Sequence, residues 1–129
     1  MLKIYTPILK DYFAEMKEIE IAYIFGSTVS GKNNALSDID IAIDINRDII
    51  NEAEYPYSYK AHIIADLMGL LKTNNIDLVI IDEASILLKH RIIARGRLIY
   101  SRNEKRRIHL QVDALRRYLD VKPLFEAYR

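Results

Sequence analysis

The chain has 129 residues, half of them hydrophobic and 29% charged, with a formal net charge of +1. That balance predicts a folded chain with one core, a single domain over residues 1–129, and argues against disorder or a whole-chain affinity for nucleic acid. Cysteine is absent, which excludes disulfides, thiolate nucleophiles and cysteine zinc sites, and neither a membrane span nor a signal peptide is read, so a cytoplasmic location is expected.

From Ile8 to Ile19 the apolar residues Ile8, Leu9, Tyr12, Phe13 and Met16 recur at helical spacing and predict an opening amphipathic helix. Ile21 to Phe25 reads as a short buried strand ended by Gly26-Ser27. The small, polar stretch Thr28 to Ser37 predicts a turn or one short helical turn between strands. Ile39 to Ile45 alternates strictly, isoleucine at odd positions and acid or alanine at even ones, so one face is expected in the core and the other to carry carboxylates. A polar link leads to a central helix over Tyr57 to Lys72, then a strand over Ile76 to Ile81 and an amphipathic helix from Glu83 to Arg95, with Gly96 as its C-terminal cap. Arg97 to Tyr100 reads as an edge strand, and a last helix from about Arg102 to Tyr118 resumes after Pro123. This order predicts an α/β (α+β) fold, a small mixed β-sheet flanked by helices.

The chemistry concentrates in Gly26-Ser27, ten residues, then Asp38-Ile39-Asp40. Carboxylates at i and i+2 of a strand share a face. Two such charges about 4 Å apart repel by roughly 4 kcal/mol at an effective dielectric of 20, so a cation is needed between them or one takes a proton. All-oxygen donors without cysteine, and with histidines scattered at His62, His90 and His109, suit Mg²⁺ rather than zinc. Asp77 in the next strand adds a third acid, and three acids on adjacent strands can hold two metals for an in-line phosphoryl displacement. Gly26 permits backbone approach to a phosphate and Ser27 adds a donor. Taken singly, each piece has a plainer reading: Gly-Ser is a turn, Asp-x-Asp a solvated pair, Asp77 a strand-start acid. The run from Lys89 to Arg107, in which Glu104 is the one acid, reads first as a solvated face and otherwise as a basic patch for an acidic partner surface or a triphosphate. Tyr55, Tyr57 and Tyr59 read as packing beneath a loop, with partner contact or nucleotide binding as alternatives.

Together, Gly26-Ser27-x10-Asp38-Ile39-Asp40, its flanking strands and Asp77 resemble the nucleotidyltransferase superfamily of DNA polymerase beta. The short length, Ile76-Asp77-Leu78-Val79-Ile80 and the segment from Leu87 to Tyr100 are similar to the minimal nucleotidyltransferase (MNT) antitoxins of HEPN/MNT toxin–antitoxin pairs. That resemblance implies the nucleotidyltransferase fold, ATP as substrate, two Mg²⁺ ions, and a HEPN ribonuclease toxin as partner, AMPylated on a tyrosine. It implies Asp38, Asp40 and Asp77 as metal-binding catalytic residues and Gly26 and Ser27 as phosphate-binding residues. Many relatives carry an arginine between the Gly-Ser pair and the next glycine; here Thr28-Val29-Ser30 precedes Gly31, and Lys32 is the candidate replacement. Two alternatives remain at this point: an antitoxin that blocks its toxin by binding alone, and a transferase for a small hydroxylated molecule such as an aminoglycoside. A nucleic-acid polymerase fits least, because little length is left for a template-binding lobe.

Overall fold

A computed structural model describes residues 2–31 and 38–128. Strands β1 (Ile19–Phe25), β2 (Ile39–Ile45), β3 (Ile76–Ile80) and β4 (Arg97–Ser101) form one sheet in the order β3-β2-β1-β4. Strand β1 pairs antiparallel with both β2 and β4, while β2 and β3 are parallel, so the sheet is mixed as expected. Helices α1 (Leu2–Glu15), α3 (Tyr59–Leu71), α4 (Ile86–Arg95) and α5 (Glu104–Ala127) flank it, and the short α2 (Ser27–Ser30) follows β1. Among the described residues no helix is long and apolar enough to cross a membrane.

Alternation along β2 sets the two layers. Ile39, Ile41, Ile43 and Ile45 face a core built with Leu9 and Phe13 of α1 and Ile63, Leu67 and Leu71 of α3. The other face of the sheet meets α4 and α5 through Tyr23, Phe25, Ala42, Ile92 and Leu110. The carboxylate-bearing face is therefore covered along most of its length, rather than lying open as the alternation alone suggests. A sheet with helices on both sides buries both faces of its central strands, and the alanine at 42 leaves room for that second layer.

One consequence is visible at Asp44, which is 2% exposed. Arg106 of α5 grips it through two bonds, Nε to Oδ2 and Nη2 to Oδ1, each 3.1 Å. A buried carboxylate stripped of its partner carries its full desolvation penalty. Arg106→Ala is thus expected to cost about 2–4 kcal/mol in urea unfolding. Arg117→Ala, which breaks the more exposed pair with Asp113, should cost no more than about 1 kcal/mol.

Helix limits differ from the periodic pattern for identifiable reasons. Ser58, Ser85 and Asn103 accept hydrogen bonds from the backbone N–H of Ala61, Leu88 and Arg106, which fixes the starts of α3, α4 and α5. Helix α1 begins earlier than expected and takes in Pro7, while its C-terminal end is closed by Arg102, whose Nη2 donates to the carbonyls of Phe13, Ala14 and Met16 and whose Nε donates to that of Ile19. Helix α5 passes through Pro123 without stopping, where a break was expected. Gly96 does cap α4, in extended rather than left-handed conformation; a Cβ there would collide with the carbonyl oxygen of Ile92, and the carbonyl of Ile24 lies 3.3 Å from the same point.

Candidate active site

The open end of the second sheet face holds the acids. Pairing places Phe25, Asp40 and Asp77 in one row across β1, β2 and β3. Asp40 is half-buried, Asp77 exposed at the sheet edge, and Asp38 exposed just before β2 begins. The three acids singled out in the sequence are thus brought to one end of the sheet.

Asp40 and Asp44 lie on the same strand face yet meet different fates. Asp44 is neutralised by Arg106, whereas among the described residues every group acting on Asp40 pushes its pKa upward. Burial is the largest cause, followed by the charges of Asp77 and Asp38, and a hydrogen bond with Asp77 adds to them; together they lift the carboxyl from 3.8 to about 6. A strand whose one acid is fully compensated and whose other is left repelled by like charges has stored that repulsion at the second acid.

Above Asp40 sits the glycine turn. Gly26 has φ 72° and ψ −146°, a conformation that residues with a side chain rarely adopt, and a Cβ on it would overlap Oδ2 of Asp40. The sequence read Gly26 as permitting close approach to a phosphate; the structure adds that it permits close approach to the carboxylate. The Gly26 carbonyl accepts from the N–H of Val29 (3.2 Å) and Ser30 (3.1 Å), winding the chain into α2, and Gly31 ends that turn at φ 78°. Ser27 is the first residue of α2. Lys32 lies outside the described residues.

The hard-oxygen donors fit a divalent cation, which would relieve the repulsion at Asp40. No group of three or more His, Asp or Glu side chains among the described residues is spaced to hold a metal ion as it stands. What is present is a facing pair, Asp40 and Asp77, with Asp38 at the rim, an open arrangement in which phosphate oxygens and water supply the remaining ligands.

The basic run does not act as one patch. Arg102 closes α1, Arg106 holds Asp44 and Arg107 pairs with Glu104. Arg91 and Arg95 instead line a cavity of about 420 Å³ together with Phe25, Gly26, Val29 and Ser30. Sequence reasoning named the run without separating these two; their spacing of four residues in an amphipathic helix was the available signal. The histidines do not converge: His62 lies 3.5 Å from Asp66, His90 stacks on Tyr118 at 3.7 Å, and His109 lines a separate surface hollow on α5. Of the three clustered tyrosines, Tyr59 is buried and donates to Glu18, Tyr55 packs edge-on against it, and Tyr57 is exposed.

The family model for polymerase beta, nucleotidyltransferase, matches residues 8–105. The chain belongs to this family. No curated protein sequence matches it. Among solved structures, the fold is similar to that of a toxin–antitoxin complex with AMP-PNP, at TM-score 0.75 and 19% identity over 95% of this chain and 94% of that one. It is also similar to the MntA-HepT toxin–antitoxin, at TM-score 0.64 and 19% identity over 98% and 91%. A third likeness is to a tri-AMPylated Shewanella oneidensis HEPN toxin in complex with MNT antitoxin, at TM-score 0.66 and 17% identity over 95% and 94%.

Proposed function

We propose that this chain is the antitoxin of a two-protein pair, a Mg²⁺-dependent adenylyltransferase of the cytoplasm that moves AMP from ATP to a tyrosine hydroxyl of a HEPN toxin. The observation that carries this reading is the facing of Asp40 and Asp77 beneath Gly26, with no cation of the described residues among the groups acting on Asp40. Structures of the same fold that bind AMP-PNP, or that sit with an AMPylated HEPN toxin, support the choice of nucleotide and acceptor.

In this reading Asp38, Asp40 and Asp77 hold the metal, and Gly26 and Ser27 hold the phosphates. Bound Mg²⁺ supplies neutralisation of the carboxylates and of charge developing on the transferring phosphoryl group. The acceptor oxygen bonds to the α-phosphorus as the bridging α–β P–O bond breaks, and pyrophosphate leaves with the electron pair. Asp77, at the exposed edge of the row, takes the hydroxyl proton. Positioning and charge, rather than covalent chemistry by the protein, carry the reaction.

A protein acceptor is favoured by the outer face of α5. Ile108, Val112, Leu115 and Leu119, each about half exposed, follow one another at steps of four, three and four residues. A stripe of that period on a surface helix is a partner-binding feature. It also keeps open the binding-only antitoxin, which covers its toxin without chemistry.

The two readings separate in one experiment. Radiolabel from α-labelled ATP with Mg²⁺ is expected on the protein encoded beside this one, and none is expected with the Asp38→Asn/Asp40→Asn double variant. A tight complex without label would leave the blocking reading standing and remove the transferase one.

A further inference from the structure

We propose that Arg91 and Arg95 of α4 seat the polyphosphate tail of the nucleoside triphosphate, and so set the requirement for a triphosphate over a monophosphate. This rests on the nucleotidyltransferase reading above, and goes beyond it by naming two residues outside the Gly-Ser and acid motifs.

The two arginines stand one helical turn apart on one face of α4. Both face the cavity of about 420 Å³, a size suited to a small ligand, whose lining they share with Phe25, Gly26, Val29 and Ser30. Ion pairs among the described residues engage Arg47, Arg106, Arg107 and Arg117, and neither Arg91 nor Arg95 is among them. The cavity thus presents two guanidiniums whose forked donors suit phosphate oxygens, with apolar lining from Phe25 and Val29 on which long arginine stems can rest.

Gly26 joins this cavity to the acids. It lines the cavity with Arg91 and Arg95, while the point where its Cβ would stand is taken by the Asp40 carboxylate. Because Gly26 borders both, a nucleotide with its α-phosphate at Asp40 extends its remaining phosphates past Gly26 toward the cavity that the two arginines line. An acceptor tyrosine is neutral and offers the guanidiniums no charge to pair with. The charges are therefore sorted: acids at the reacting phosphorus, arginines at the leaving pyrophosphate.

The probe is inorganic tripolyphosphate with Mg²⁺, titrated by calorimetry into the full chain, with AMP as the companion ligand. Arg91→Gln and Arg95→Gln are each expected to weaken tripolyphosphate binding about tenfold, and the pair together about a hundredfold. AMP binding and Tm should stay unchanged, and Arg97→Gln on β4 should behave as wild type. Arg91→Lys/Arg95→Lys, which keeps the charge and loses the fork, should fall between wild type and the Gln pair and covers the case of a Gln variant that unfolds. In the transfer assay, KM for ATP should rise in the Gln pair with kcat little altered. Wild-type tripolyphosphate affinity in a folded Gln pair, or wild-type transfer with an unchanged KM for ATP in that variant, overturns the proposal. Arginine-dependent tripolyphosphate binding by a wild type that transfers no label upholds it and removes the transferase reading instead.

Discussion

Asp40→Asn is expected to abolish nucleotidyl transfer, by at least about a thousandfold or roughly 4 kcal/mol of transition-state stabilisation, while making the metal-free protein more stable near neutral pH. The opposite signs follow from one fact, the partial burial of Asp40 beside two other acids. In the folded chain its carboxyl titrates near 6 instead of 3.8, raised by burial first and then by Asp77 and Asp38. The folded state therefore keeps a proton that the unfolded chain has already released. The penalty is absent below about pH 4, grows as pH rises from 4 to 6, and is complete above 6. Two pKa units correspond to about 2.7 kcal/mol; partial hydration of the site reduces this to about 1–2 kcal/mol. Asparagine never ionises and escapes the penalty. In urea unfolding with EDTA, the stability of Asp40→Asn relative to wild type should widen between pH 4 and 7. A gap that does not widen would show that Asp40 is not the strained group, and transfer surviving in the variant would remove it from the catalytic centre.

Much of the fold was legible because the local signals agree with one another. Strand β2 matches its sequence reading at both ends, since strict alternation over Ile39 to Ile45 admits no helix. The existence of α3 and α4 followed from their apolar period, and their starts were written in Ser58 and Ser85, cap residues that periodicity ignores. What sequence could not express was the second layer. Alternation says that Asp44 faces away from isoleucine; it cannot say that α5 returns from sixty residues downstream to bury it with Arg106. The break read at Pro123 failed for a related reason: proline removes one backbone donor, and a long helix can absorb that loss near its exposed end.

The site divides the same way. Asp38, Asp40 and Asp77 were nameable because period two places i and i+2 together and a parallel neighbour adds the third. The fate of the basic run was not, because charge patterning alone gives residue type without partner. Arg102, Arg106 and Arg107 are structural, each held by a carbonyl set or a carboxylate, and only Arg91 and Arg95 of the run face the cavity beside Gly26.

Gly26→Ala is expected to cost transfer far more than it costs stability, and comparison with Gly31→Ala isolates why. Both glycines have positive φ, 72° and 78°, so both substitutions carry backbone strain of about 1–3 kcal/mol. At Gly31 an added Cβ meets nothing within 4 Å among the described residues, so backbone strain is the effect expected there. At Gly26 the Cβ overlaps the Asp40 carboxylate. The oxygen is the mobile end of a side chain, so it swings aside rather than forcing the sheet apart. That protects the fold and sacrifices the geometry of the acid. Displacing a reacting group by about 1 Å is worth about a hundredfold in rate. Transfer by Gly26→Ala should therefore fall about a hundredfold or more while its Tm drops no further than a few degrees below that of Gly31→Ala, which should keep transfer within severalfold of wild type. Equal losses of transfer in the two variants would mean that Gly26 serves only its own turn. Loss confined to Gly26→Ala would mean that the missing side chain exists to let Asp40 stand where it does.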